Sequence, residues 1–131
     1  MKFSIEKKEQ YTIFALNEEN LNSIIAPLLK SEFIIYRNEG VNNLILDLSQ
    51  VKFVDSSGLS SILTANRLWK GTGSFVITGV NHPSVQKLIE ISRLDTVLEI
   101  IPTVQESIDF VMMEELEREL KAGADLDDTM H

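Results

Sequence analysis

Hydroxyl groups that could act as nucleophiles or accept a phosphoryl group stand at Ser56 and Ser57, directly after the carboxylate of Asp55. The stretch that holds them, VKFVDSSGLSSIL (residues 51–63), changes its hydrophobic period. Its apolar residues alternate before Asp55, as in a strand, and follow helical spacing from Leu59 onward. The three polar side chains therefore stand at a strand-to-helix corner, and the carboxyl ends of strands are where α/β sheets form sites.

A serine nucleophile needs a base to activate it, most often a histidine. The chain has two histidines, His82 and His131, and the second is the last residue. The corner reads DSSGL and lacks the G-x-S-x-G pattern of a nucleophile elbow. The chain also has no cysteine, so a thiolate nucleophile and a disulfide framework are both excluded. We therefore expect no catalytic residue and no enzyme.

Two interpretations of the corner remain. Serine and aspartate are common helix N-caps, because their side-chain oxygens accept hydrogen bonds from the free N–H groups of the first turn. Alternatively, the corner presents an exposed hydroxyl at a helix N-terminus, where an added phosphate is electrostatically favoured. Gly58 keeps side-chain bulk away from such a hydroxyl. The residues alone leave both interpretations open.

Cofactor and metal motifs are not found. GTGSFVITG (residues 71–79) lacks the Walker and G-x-G-x-x-G patterns and leads into a strand rather than a helix. Asp125, Asp127 and Asp128 do not follow the calcium-loop pattern. We expect neither a metal ion nor a cofactor.

Charge and hydropathy limit the classes of partner. The net charge is −8, and residues 102–131 contribute −7 through nine acidic and two basic residues. No basic stripe is available for a phosphate backbone, so we expect no nucleic-acid partner. No signal peptide precedes the first strand, and no apolar run approaches the ~20 residues that span a bilayer. A cytoplasmic protein without membrane contact is the default expectation.

Strand and helix patterns alternate along most of the chain. We predict strands at 3–7, 11–16, 44–48, 51–55, 74–79 and 96–101, and helices at 26–37, 57–70, from His82-Pro83 to about 94, and 103–121. The first two strands form a hairpin, and 17–23 is a polar connection. This order predicts a single α/β domain with a mixed, largely parallel sheet behind an N-terminal hairpin.

The last predicted helix is strongly acidic. Its apolar residues are expected on one face that packs on the core (Ile108, Val111, Met112, Leu116 and Leu120). Met112, Met113, Leu116 and Leu120 could instead extend past the core as a partner surface. We assign residues 1–121 to the domain and 122–131 to an acidic, disordered tail.

Two segments resemble the STAS domain of bacterial anti-sigma factor antagonists: LILDLSQVKFVDSSGLSSIL (44–63) and GSFVITGVNHPSVQKLIEISRLDTVLEI (73–100). The resemblance covers about residues 3–110. It implies a protein that binds an anti-sigma factor serine kinase and thereby releases a sigma factor. It also implies that the kinase phosphorylates the serine after the corner aspartate, Ser56, and that a serine phosphatase reverses this. Ser57 is the less favoured neighbour.

The resemblance also implies a partner-binding surface. It consists of Asn22, Asp55, Ser57, Gly58 and Leu59. Asn22 stands where such antagonists usually carry the aspartate of a G-E-[LI]-D stretch, and an asparagine there keeps hydrogen bonding but has no charge. Two alternatives follow: a STAS scaffold domain that is never phosphorylated, or a nucleotide-binding STAS domain.

Overall fold

The secondary structure comes from a computed structural model that describes the backbone of residues 1–129 and the side chains of residues 1–123. The elements follow in the order β1 (Phe3–Lys7), β2 (Thr12–Leu16), β3 (Asn20–Leu21), α1 (Ala26–Asn38), β4 (Asn43–Asp47), β5 (Phe53–Val54), α2 (Ser56–Trp69), β6 (Ser74–Thr78), α3 (Pro83–Ile91), β7 (Glu99–Ile101) and α4 (Val104–Thr129). A single 3₁₀ turn, Leu94–Thr96, lies between α3 and β7.

The main sheet has the strand order β1-β2-β4-β6-β7. β1 and β2 pair antiparallel, with Phe3 opposite Leu16 and Lys7 opposite Thr12, and this confirms the predicted hairpin. β2, β4, β6 and β7 are all parallel neighbours. The predicted mixed, largely parallel α/β sheet is therefore confirmed.

Two hydrophobic clusters cover the two faces of this sheet. On one face, α1, α2 and α3 pack over a large cluster that includes Phe14, Phe33 and Trp69, all fully buried. On the other face, Val111 of α4 packs over a smaller cluster that includes Ile45. The sequence of β4 is almost continuously hydrophobic because both of its faces are buried. Leu44 and Leu46 belong to the large cluster, and Ile45 belongs to the smaller cluster on the opposite face.

The elements differ from the sequence prediction in several places. β3 lies within the predicted polar connection, because its two residues pair with β5 outside the main sheet. The strand predicted at 96–101 begins with a 3₁₀ turn, and only residues 99–101 pair with β6. Helix α4 continues to Thr129 instead of ending at 121, so the predicted disordered tail is helical over its described residues. Residues 130 and 131 lie outside the described residues.

Helix propensity accounts for the longer α4. Ala122, Ala124 and Leu126 are strong helix formers, and the single glycine, Gly123, costs only about 1 kcal/mol relative to alanine. The aspartates of this segment are weak helix formers rather than helix breakers. Among the described residues, no helix combines the length and hydropathy needed to cross a membrane.

A polar network holds α4 against the amino ends of the strands. The carboxamide of Asn43 donates to the Gln10 carbonyl (2.7 Å) and to Glu115 Oε2 (3.1 Å). Its Oδ1 accepts from the Ser74 N–H and from Arg118 Nη2, both at 2.9 Å. Arg118 also forms an ion pair of 2.9 Å with Glu115. We call the four residues Asn43, Ser74, Glu115 and Arg118 the α4 clasp.

Asn43→Ala should lower the free energy of unfolding by about 2–4 kcal/mol, because it leaves several partly buried polar groups without their partner. Asn43 itself is only 2% exposed. Its neighbour Asn42 is exposed, so Asn42→Ala should change stability by less than about 0.5 kcal/mol. Urea denaturation of both variants measures the difference. Equal losses in the two variants would contradict the role assigned to the clasp.

The clasp should also contribute to acid sensitivity. Hydrogen bonds from Arg118 and Asn43 lower the pKa of Glu115 relative to an ordinary glutamate. A carboxyl with a lowered folded-state pKa stabilises the fold above its unfolded pKa, and this contribution is lost as the pH falls through the folded value. Below about pH 4, the wild type should therefore lose stability more steeply than Glu115→Gln. Glu117→Gln, at an exposed position of the same helix, should retain the wild-type slope in denaturation midpoints measured from pH 7 to pH 3.

Candidate functional site

The two-residue strands β3 and β5 build the corner that the sequence singles out. They pair in parallel, with Leu21 opposite Val54, and the Asp55 N–H donates to the Leu21 carbonyl at 3.2 Å. Asn22 and Asp55 therefore follow paired residues at the same end of this small sheet. The pairing brings the entry to α1 beside the start of α2.

Asp55 is the N-cap of α2. Its backbone is extended, with φ −98°, and its Oδ1 accepts a hydrogen bond of 2.9 Å from the Gly58 N–H. A carboxylate at this position is stabilised by the helix dipole as well as by the N–H group. The capping interpretation is thus correct for Asp55, whereas Ser56 and Ser57 lie inside the first turn.

Ser56 is the first residue of α2, and it is exposed. Ser57 is half-buried. Both line a shallow depression of about 330 Å³ between the first turns of α1 and α2. Its other lining residues are Ser23, Ala26, Pro27, Lys30 and Ser60. Ser56 is therefore a solvent-exposed serine at the edge of this depression.

Lys30 was not identified from the sequence. Its Nζ donates to Ser60 Oγ at 3.2 Å, across the depression that Ser56 also lines. Lys30 lies 26 positions before Ser56 and on a different helix, and no local motif links these two residues. Only the packing of α1 against α2 places a cation in the same depression as the predicted acceptor.

Asn22 uses its carboxamide locally. Its Oδ1 accepts from the N–H groups of Ile24 (3.1 Å) and Ile25 (3.2 Å), and its carbonyl accepts from Ala26 at 2.7 Å. These bonds satisfy free N–H groups in the turn that leads into α1. Asn22 thus stabilises the start of α1 through hydrogen bonds without bringing a charge to the corner.

Gly58 and Leu59 occupy structural positions. Gly58 is buried, and a Cβ built on it would lie 2.8 Å from both Leu21 Cγ and Val54 Cγ1, and closer still to the Leu21 carbonyl oxygen. Gly58, which the resemblance places in the partner-binding surface, is therefore a buried residue that close packing requires to be glycine. Leu59 is half-buried and packs against the main core.

Two exposed apolar side chains lie on the segments that lead into the corner. Phe53 of β5 is 55% exposed, and Ile24, in the turn before α1, is 74% exposed. The Phe53 ring lies 5.5 Å from the ring of His82, which caps α3 by accepting from the Ser84 N–H. His82 is thus the N-cap of α3, where the predicted helix begins. Sequence periodicity placed Phe53 in a strand but did not predict its exposure, because a strand of two residues leaves its side chain outside the main core.

Comparison with known proteins agrees with this geometry. The sequence profile of the STAS domain matches residues 2–107. A candidate anti-sigma factor antagonist of Thermotoga neapolitana is 30% identical over 104 residues, which is 79% of this chain and 91% of that protein. The chain therefore belongs to the STAS domain family, as its sequence motifs indicated.

Solved structures share the fold. The crystal structure of a candidate anti-sigma factor antagonist from Thermotoga maritima has a TM-score of 0.77 at 28% identity, and the match covers 84% of this chain and 94% of that one. The anti-sigma factor antagonist SpoIIAA of Bacillus, in its unphosphorylated form, has a TM-score of 0.71 at 21% identity, over 85% of this chain and 96% of that one. The second likeness concerns the fold alone.

Gly58→Ala should lower the free energy of unfolding by about 1–3 kcal/mol, because the added methyl group must displace the backbone of β3. Gly123→Ala is the matched control, since a Cβ there meets nothing within 4 Å. It should leave stability unchanged or raise it by up to about 1 kcal/mol. Urea denaturation gives the free energies, and backbone amide shifts around Asn22 report the displacement. An unperturbed Asn22 in Gly58→Ala would refute the packing argument.

Proposed function

We propose that this chain is an anti-sigma factor antagonist that binds an anti-sigma factor serine kinase and thereby releases a sigma factor. Phosphorylation of Ser56 by that kinase dissociates the complex, and a serine phosphatase restores binding. The chain acts as a binding module without catalytic activity of its own. The observation that carries this proposal is the exposed hydroxyl of Ser56 at the first position of α2.

Local electrostatics support Ser56 as an acceptor that the fold tolerates. A phosphate on the first residue of a helix lies near free N–H groups and the positive end of the helix dipole. Lys30 lines the same depression and supplies a nearby cation. Asp55 opposes the added charge, but its Oδ1 is already engaged by the Gly58 N–H. The folded domain should therefore accept the phosphoryl group without unfolding.

The surface around Ser56 supports a switch acting on the partner. Ile24 and Phe53 offer exposed apolar area on either side of the corner, on the segments that enter α1 and α2. A partner that buries this area also buries the neutral Ser56 hydroxyl. Once phosphorylated, Ser56 would carry a charge of about −2, and desolvating it within the interface costs several kcal/mol.

Known relatives lend further support. SpoIIAA, which shares this fold, has been solved in both an unphosphorylated and a phosphorylated form. The Thermotoga relatives are candidate anti-sigma factor antagonists. Applied to this chain, these descriptions favour an anti-sigma factor antagonist that exists in an unphosphorylated and a phosphorylated form.

Incubation with the anti-sigma factor kinase of the same organism and ATP tests the acceptor. Intact mass should rise by one phosphoryl group in the wild type and in Ser57→Ala, but not in Ser56→Ala. Ser56→Glu should weaken kinase binding at least about tenfold, because a charge enters the interface. Modification of Ser56→Ala to the wild-type extent would disprove the assignment.

A second candidate is an unphosphorylated STAS scaffold domain. Asn22 favours it, because the residue brings no charge to the corner and its carboxamide is occupied by the turn before α1. In that case no kinase would modify Ser56, and Ser56→Glu would bind the scaffold partner as tightly as the wild type. The mass and binding measurements above therefore distinguish the two functions.

A further inference from the structure

Helix α4 reverses the usual amphipathic arrangement in its second half. Val111 is fully buried against the sheet, as an apolar residue of a packed helix should be. One and two turns later, the positions that face the sheet hold Glu115 and Arg118 of the α4 clasp. Polar residues thus occupy the positions that face the sheet, and the apolar residues of the same turns are exposed to solvent.

Those apolar residues form a continuous exposed surface, which we call the α4 stripe. It consists of Met112, Met113, Leu116 and Leu120, which are 40%, 61%, 48% and 65% exposed. A shallow groove of about 510 Å³ runs along part of it. Because Glu115 and Arg118 fix the rotation of α4, the stripe cannot turn toward the sheet without breaking the clasp. An ordered apolar surface of this kind is typical of a site that binds another molecule.

The charged residues of α4 that border the α4 stripe are all acidic. At about 3.6 residues per turn, Asp109 and Glu119 lie beside or within the stripe, and Glu117 borders its other side. Asp109 and Glu119 also line the groove. The two bases of this segment lie elsewhere: Arg118 is held in the clasp, and Lys121 falls on a different side of the helix. The stripe is therefore an apolar surface framed by carboxylates.

We propose that the α4 stripe binds a basic amphipathic helix of another protein. Apolar side chains of that helix would pack on the two methionines and two leucines, and its lysines or arginines would pair with Asp109, Glu117 and Glu119. The flexible methionine side chains adapt to the shape of such a helix. This site is separate from the corner at Ser56 and does not depend on the proposed phosphorylation.

Charge selects this occupant over two others. A second copy of the chain would bring the same carboxylates of two α4 helices together, and like charges across an interface are unfavourable. An anionic membrane surface would repel them for the same reason. A basic helix gains both from burying the stripe and from electrostatic attraction.

A designed peptide provides the direct test. The probe is a synthetic 18-residue peptide, about five helical turns, with leucines on one face and lysines on the other. It is titrated into the isotope-labelled full chain. Amide shifts should concentrate on α4, and affinity should fall as salt rises. A matched peptide with glutamate in place of every lysine should not bind. Failure of the lysine peptide to bind would overturn the proposal.

Variants of the chain distinguish apolar binding to the α4 stripe from nonspecific electrostatic attraction of the peptide to an acidic protein. Met113→Gln combined with Leu116→Gln keeps the charge and should weaken the lysine peptide about tenfold or more. Ile91→Gln removes another exposed apolar side chain, 69% exposed on α3, and should change affinity less than about twofold. All these residues are exposed, and thermal unfolding of each variant checks that it is folded.

Two results would contradict the proposal even if the peptide binds. Equal affinity for the wild type and the double variant would mean that charge alone attracts the peptide. A dimer in light scattering that is lost in the double variant would mean that a second copy of the chain occupies the stripe. Conversely, Glu117→Gln with Glu119→Gln should weaken the lysine peptide at low salt and flatten its salt dependence.

Discussion

Contact between Gly58 and Leu21 sets the geometry on which the candidate site depends. The first turn of α2 lies against the backbone of β3 with no room for a side chain. This contact, together with the β3–β5 pairing, places the start of α2 next to the turn that begins α1. The depression that holds Ser56 and Lys30 exists because these two helix starts are neighbours. A bulkier residue at 58 would separate them.

The two ends of the main sheet have different chemistry. At the carboxyl end of β4, the chain continues through β5 into Asp55, which caps α2, and Ser56 is left exposed in the first turn of the helix. At the amino ends of β4 and β6, Asn43 and Ser74 are buried. They form hydrogen bonds with the charged side chains of α4 in the α4 clasp. The first end presents an exposed serine, the residue that we propose is phosphorylated. The second end anchors the helix that extends beyond the part of the chain matched by the STAS profile.

The acidity of the chain is concentrated on that anchored helix. The main body is nearly neutral, so a phosphate on Ser56 would change its local potential strongly, whereas α4 carries most of the net charge permanently. The proposed phosphorylation would thus change the charge of the corner reversibly, whereas the charge of α4 would be the same in both states. The proposed change in charge at Ser56 and the permanent negative charge of α4 thus lie in separate parts of the domain.

The sequence by itself determined the hairpin, the alternation of strands and helices, and the start of every α-helix to within a residue. These features follow from hydrophobic period and from capping and turn residues, which act over a few neighbouring positions. Only the tertiary structure decided that β3 pairs with β5, that Lys30 shares a depression with Ser56, and that Gly58 is buried. Tertiary packing also decided which face of α4 is buried. Helical periodicity groups Met112, Leu116 and Leu120 with Val111, but Asn43, far away in the sequence, holds Glu115 and Arg118 on the inner side. A local pattern cannot predict a hydrogen-bond partner more than seventy residues away.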